Sequence, residues 1–306
     1  MGRYLLKRLR HGVIVILGVT VLVFVVTRLV GDPVKVMLPL EATLEQRAAF
    51  ERQLGLDRPI PVQFIDFVVD VAHLDFGDSL WQHRPAMEIV FEKLPLTVEL
   101  AIFGIGMAFL LSIPLGIIAA LRPGGLVDRG TVFFSLIGFS IPQFWLGLLL
   151  IVIFAVKLHW LPTSGVATPV HIILPAITMG LPTLARLVMM VRSSMIDELN
   201  QQYVKTGHAK GIPYYRVVGV HAMRNAALPV VTLVGWELIR ALAGYSVVVE
   251  TVFAWPGIGL TAIQAIERED LILLQAIVFT VGIMVVLINI FMDVIYTIVD
   301  PRLKLQ

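Results

Sequence analysis

The sequence predicts an all-α polytopic membrane protein with six transmembrane helices and both termini cytoplasmic. Three observations carry that prediction. Of 306 residues, 58% are hydrophobic and 15% charged, with a mean hydropathy of +0.87, whereas soluble domains carry about 25% charge. Apolar stretches recur at about the 20 residues that one helix needs to cross hydrocarbon. Basic residues collect on alternate connections, which fixes an orientation.

The first span, 12–30, follows a basic head containing Arg3, Lys7, Arg8 and Arg10. No small-x-small cleavage site follows it, so it reads as an uncleaved span with a cytoplasmic start. Five more spans are expected at 96–121, 131–156, 172–191, 228–249 and 271–299. They are helices, because a lipid-exposed backbone must satisfy its own hydrogen bonds and no alternating pattern supports a barrel. Between the first two lies an outer loop, 31–93, with short amphipathic helices expected near Leu44 to Leu54 and Val62 to Val71 around Gly55-Leu56-Asp57-Arg58-Pro59. A polar inner loop, 192–227, is interrupted by Gly207, Gly211 and Pro213.

On the inner side 13 Lys and Arg face four acids, while on the outer side nine face 15 acids. Retention of basic residues in cytoplasmic loops supports this topology. Trp81, Trp160 and Trp255 fall at outer ends, where an interfacial belt is expected. The net charge of +2 is too small to suggest nucleic acid, so lipid is the expected surrounding. Without cysteine there is neither a disulfide nor a thiolate nucleophile.

Enzyme readings find little support. No GxxxxGK[ST] phosphate loop and no HExxH zinc pattern occur. The seven histidines lie in loops or at interfaces, so Ser140 lacks a His at membrane depth, and Gly138-Phe139-Ser140 reads as helix packing. Neither ATP nor a metal is expected to bind this chain.

Transport fits better. Pro114, Pro142, Pro175 and Pro182 interrupt spans, and proline frees a backbone carbonyl. Pro142 and its neighbour Gln143 are candidate pathway-lining residues. Glu237 and Arg240, three residues apart on one helical face, either form a structural pair or line a path, since intramembrane charges face a bundle interior or a wet cavity. Glu99, Arg186 and Asp293 lie nearer span ends, where snorkelling is the expectation. After the fifth span, Phe253, Trp255, Pro256 and Gly257 form a turn-rich segment, a candidate outer gate. In the inner loop, two short helices separated by Gly211 and followed by Leu228-Pro229 offer a surface for a protein partner.

RYLLKRL at the head, GDP at Gly31 to Pro33, LGLDRP at Leu54 to Pro59, DFGDSL at Asp75 to Leu80 and WLPTSG at Trp160 to Gly165 are followed by RSSM at Arg192 to Met195, VVVETVFAWPGIG at Val247 to Gly259 and DPR at Asp300 to Arg302. In this order they resemble the first permease subunit of the dipeptide/oligopeptide/nickel ABC importer family, over essentially the whole chain. The permease loop consensus EAAxxxG falls on Lys205-Thr206-Gly207-His208-Ala209-Lys210-Gly211, where the Glu and both Ala are replaced and Gly211 is kept.

The resemblance implies a type I ABC importer permease in a bacterial inner membrane, translocating short peptides or a related small solute. It also implies a homologous second permease, two ABC ATPase subunits that use ATP and Mg, and an extracytoplasmic solute-binding protein. Lys205 to Gly211, with Tyr214 and Tyr215, would couple ATPase closure to alternating access. A stand-alone secondary transporter or channel, the alternative, predicts internal repeats and a midplane ion site, and neither is evident.

Overall fold

A computed structural model describes residues 2–30, 43, 45, 52 and 57–299. Ten helical elements organise them: α1 Gly2–Val30, α2 Ile60–Ala72, α3 Ala86–Leu121, α4 Leu126–Ser140, α5 Gln143–Leu150 with a π continuation Ile151–Lys157, α6 Ile173–Leu199, α7 Gln202–Ala209, α8 Tyr214–Val252, α9 Ile258–Glu267 and α10 Leu271–Val299. Among the described residues extended pairing is limited to one bridge, Asp78 to Pro85. The helix expected near Leu44 to Leu54 falls almost wholly outside the described residues, whereas α2 covers the second amphipathic stretch.

Among the described residues four helices are long and apolar enough to cross a membrane: Ala86–Leu121, Pro169–Leu199, Tyr214–Val252 and Leu271–Ile298. The pair Leu126–Ser140 and Gln143–Lys157 meets at 101° and makes a fifth if it is one broken span. The sequence places one span at 131–156 with Pro142 interrupting it, and the break falls at that proline: Pro142 disfavours helical ψ at the residue before it, and Ile141 adopts φ −78°, ψ 122°. Pro182 and Pro229 instead lie inside helices. The short second inner helix expected after Gly211 is likewise the start of α8, which continues through π turns at Val217–Ala222 and Ala241–Tyr245.

The chain divides into two compact units, Met1–Pro95 with Gly257–Val286 and Leu96–Pro256 with Leu287–Gln306. In the first, Ile89, Val90, Ala265, Leu273 and Ile277 form the core. Phe24 meets Phe64 edge-on at 5.2 Å, tying α1 to α2. Asp270 organises the hairpin beside α10. One oxygen accepts the Leu273 N–H at 3.0 Å, the geometry of an N-cap, and the other accepts Ser79 Oγ at 2.5 Å and Trp81 N at 3.1 Å.

In the second unit α6 is the central helix, with α3, α4 and α8 packed along it at small residues. A Cβ on Gly180 would lie 2.5 Å from the Gly104 carbonyl oxygen, and one on Gly116 would lie 2.6 Å from Val191. Backbone contact at this range is how membrane helices gain van der Waals energy without a hydrophobic driving force. Leu100, Ile105, Met179, Val249 and Phe253 fill one core of this unit, and Leu187, Val191, Met195 and Ala222 another.

Candidate functional site

The polar side chains inside the second unit converge where α6 meets α8. Arg186 donates from Nε to Glu237 Oε1 at 2.6 Å and from Nη2 to Oε2 at 2.7 Å. Thr183 Oγ1 donates to the same Oε2 at 3.1 Å and accepts Arg186 Nη2 at 3.2 Å. Glu237 and Thr183 are buried. A two-pronged guanidinium–carboxylate pair of this kind offsets the cost of withdrawing charge from water. Arg240 approaches Glu237 Oε1 only to 3.6 Å, and its guanidinium lies 5.2 Å from the centre of the Tyr245 ring.

This changes the roles expected from sequence. The principal partner of Glu237 is Arg186, on another helix, rather than Arg240 three residues on. Arg186, expected to snorkel, is held in an ion pair, and Asp293 is buried rather than extended toward an end. The π turn after Arg240 contains Gly244 at φ +141°, a conformation open to a residue without Cβ, so α8 kinks just beyond the cluster.

Pro142 and Gln143 sit elsewhere, at the break between α4 and α5. Gln143 is buried, and neither atom of its amide finds a hydrogen-bond partner among the described residues. Phe253 and Trp255, expected near the outer surface, are packed inside: Phe253 is 1% and Trp255 3% exposed. Trp255 Nε1 donates to the Leu96 carbonyl at 3.0 Å and the Phe253 carbonyl accepts Gly165 N–H at 3.1 Å. Satisfying an indole N–H internally frees Trp255 from the interface. Pro256 is half-buried, and Gly257 is the N-cap of α9. Glu250 and Asp270, counted among the outer acids, are fully buried, with Glu250 accepting Thr97 Oγ1 at 2.7 Å.

Between α6 and α8 the chain forms a compact elbow. α7 is followed by its C-cap, Lys210; Gly211 N–H bonds to the His208 carbonyl at 2.9 Å and Ile212 N–H to the Gly207 carbonyl at 3.1 Å. These are the two bonds of a Schellman cap, and Gly211 takes the left-handed conformation it requires, φ +75°. Gly207 and Val204 face inward, with Val217 within 3.5 Å of where a Gly207 Cβ would stand. Lys205, Thr206, His208, Ala209 and Lys210 face outward, as do Tyr214 and Tyr215, which is 72% exposed. His208 stacks on Tyr214 at 5.5 Å. Tyr203 anchors the elbow, donating to Glu198 at 2.6 Å. Burial foremost, and then that bond, raises the Tyr203 pKa, so the phenol stays protonated and donating.

Sequence reading missed Thr183, Glu250 and Asp270. Asp270, immediately before an apolar run, carried a helix-start signal. Thr183 and Glu250 carried none, because their partners lie 54 and 153 residues away.

Helices crossing a membrane, an interior charge cluster and an exposed helical elbow define a membrane transport subunit. The chain matches the model of the binding-protein-dependent transport system inner membrane component over residues 112–305, and that of its N-terminal region over residues 1–101. It is 36% identical to the oligopeptide transport system permease protein AppB of Bacillus subtilis, covering 99% of this chain and 100% of the relative. It is also 36% identical to the di/tripeptide transport system permease protein DppB of Pseudomonas aeruginosa, covering 100% of both, and 34% identical to the dipeptide permease DppB of Escherichia coli K12, covering 99% of both. A chain of the inward-facing MetNI methionine ABC transporter superposes with a TM-score of 0.58 at 19% identity, over 70% of this chain and 97% of that one. The chain therefore belongs to the binding-protein-dependent inner membrane components and is the translocation subunit of an ABC importer.

Proposed function

We propose that this permease conducts short peptides across a bacterial inner membrane, driven by ATP that partner subunits hydrolyse. The observation that carries the substrate class is the end-to-end match to relatives named as oligopeptide, di/tripeptide and dipeptide permeases. Six spans, at 12–30, 96–121, 131–156, 172–191, 228–249 and 271–299, place both termini in the cytoplasm. The basic inner and acidic outer loops support that topology. A second, homologous permease completes the path, and a solute-binding protein delivers peptide to the outer side.

Two ATPase subunits bind ATP and Mg and dock on the 192–227 segment, where Lys205 to Gly211, Tyr214 and Tyr215 form the contact. The exposure of both tyrosines beside a rigidly capped helix supports this reading, since a rigid aromatic surface is what hot-spot contacts use. α7 hands ATPase movement to α8 through the Val204, Gly207 and Val217 packing. Glu237, Arg240, Pro142 and Gln143 line the path, and the segment from Phe253 to Gly257 acts as its outer gate.

The test is reconstitution of this chain with its genetic neighbours in proteoliposomes. ATP-dependent uptake of radiolabelled dialanine, and recovery of an ATPase with the tagged permease, are the expected results. Uptake that persists without hydrolysis, or a chain that transports alone, would replace this reading with the secondary-transporter one.

A further inference from the structure

The charge cluster of the second unit is not balanced. Arg186 and Thr183 occupy both oxygens of Glu237 at 2.6 to 3.1 Å, so Glu237 is neutralised by Arg186. Arg240 then leaves the cluster with one excess positive charge. Its side chain is 46% exposed, against 21% for Arg186 and 2% for Glu237. Arg240 lies near the middle of the 228–249 span, about 18 Å from its start at 1.5 Å per residue. An arginine facing lipid there costs about 2.5–3.5 kcal/mol or more, so this face belongs to water or to an anionic group. The Tyr245 ring centre lies 5.2 Å from the Arg240 guanidinium carbon, at cation–π range. Along the same stripe Pro229, Trp236 and Ala243 are exposed, and apart from its own helix backbone and chain neighbours nothing stands within 4 Å of where a Cβ on Gly244 would lie. The surface one turn beyond Arg240 is therefore open.

We propose that Arg240 forms a subsite for a carboxylate of the transported solute, which for a peptide is its C-terminal carboxylate. Planar guanidinium edges match carboxylate oxygens in pairs, and the excess charge sits where a solute crossing the membrane would need a counter-charge. Arg186 is the positioning residue: by taking both oxygens of Glu237 at hydrogen-bond distance it leaves Arg240 only a loose 3.6 Å contact with that carboxylate. This inference rests on the pathway-lining reading of α8 and adds the chemical group recognised there.

The test uses the absence of native cysteine from this chain, with modification read on this chain alone. Ala243→Cys is introduced in the assembled complex and reacted with ethylsulfonate and ethyltrimethylammonium methanethiosulfonates. At about 6 Å in water, one charge changes each rate about threefold in opposite senses, so the anionic-to-cationic rate ratio should fall about tenfold when Arg240→Gln is added. It should be kept by Arg240→Lys, which also shows that the glutamine variant's loss is not misfolding. In parallel, Arg240→Gln should depress uptake of dialanine at least about tenfold more than uptake of dialanine amide, one pairing interaction being worth that factor. A thiol that neither reagent reaches, a ratio insensitive to Arg240, or equal loss of acid and amide uptake would each overturn the subsite. None of these would disturb the importer reading, which fails instead if wild-type complex shows no ATP-dependent uptake.

Discussion

Two arginine–carboxylate pairs stand in the same unit with nearly the same burial, yet their surroundings differ. Arg192 grips Asp128 through Nε to Oδ1 and through Nη2 to Oδ2 at 2.8 Å, and the Gly124 N–H donates to Oδ2 at 2.7 Å. Arg186 grips Glu237 in the same two-pronged way. The carboxylates are 4% and 2% exposed, the arginines 20% and 21%. What differs is the third partner. Asp128 sits in the first turn of α4, where the helix dipole favours an anion, and its extra bond comes from a neutral backbone amide. That site is closed, a staple between α4 and α6. Glu237 instead has a second arginine nearby, and its site is left with a charge to spend. Burial alone therefore does not distinguish the two sites; the charge left beside each pair does.

The comparison breaks most visibly at Glu237. Glu237→Leu strands Arg186 in the interior, and removing one member of a buried pair costs about 3–5 kcal/mol. Thermal unfolding of the purified complex should show a large drop, with the double variant Arg186→Met/Glu237→Leu recovering most of it. A double variant as unstable as the single would mean that the pair supplies stability rather than merely balancing itself.

Asp128→Ala comes next. Charge-assisted hydrogen bonds contribute about 1.5–3 kcal/mol each, and the vacated site leaves one arginine rather than two beside it, so a loss of about 2–3 kcal/mol in the same assay is expected. Uptake per folded complex should remain at the wild-type level. If Asp128→Ala abolishes uptake without destabilising the complex, the staple is not merely a staple.

Gly211→Val tests the elbow that follows the stapled helix. A β-branched residue at φ +75° costs about 1–2 kcal/mol, and the Schellman cap should open. ATP hydrolysed per peptide imported should rise. An unchanged ratio would detach the elbow from coupling.

The smallest folding effect belongs to Tyr215→Ala. An exposed substitution usually stays within about 0.5 kcal/mol, so stability should hold while ATPase affinity falls about tenfold, the value of one moderate contact. Pull-down titration against purified ATPase reads this directly.

Much of this was legible in the sequence. Long apolar runs announced the membrane helices, and the charges named the residues needing explanation: Glu237, Arg240, Arg186 and Asp293 were all singled out as intramembrane. Helix periodicity found the looser partner of Glu237, Arg240 at 3.6 Å, because residues three apart share a face whether or not a better donor waits on another helix. Pro142 marked an interruption of the 131–156 span, but the 101° angle of that break was not legible. Hydropathy averages over a window and passes smoothly across Pro142, whereas backbone sterics act on the single residue before it. Trp255 looked interfacial by position, but its indole N–H found a carbonyl 159 residues away.

The sequence by itself determined the solvent of this protein, its helical class and the inventory of charges, because desolvation acts on each residue according to its own chemistry. Its ordered motifs also carried the family. Only the tertiary structure decided which charges cancel. Pairing energy falls off within a few ångströms, so Arg186, 51 residues from Glu237 in the chain, claims the carboxylate that Arg240 reaches only loosely. The excess charge of α8 exists solely because those helices pack as they do.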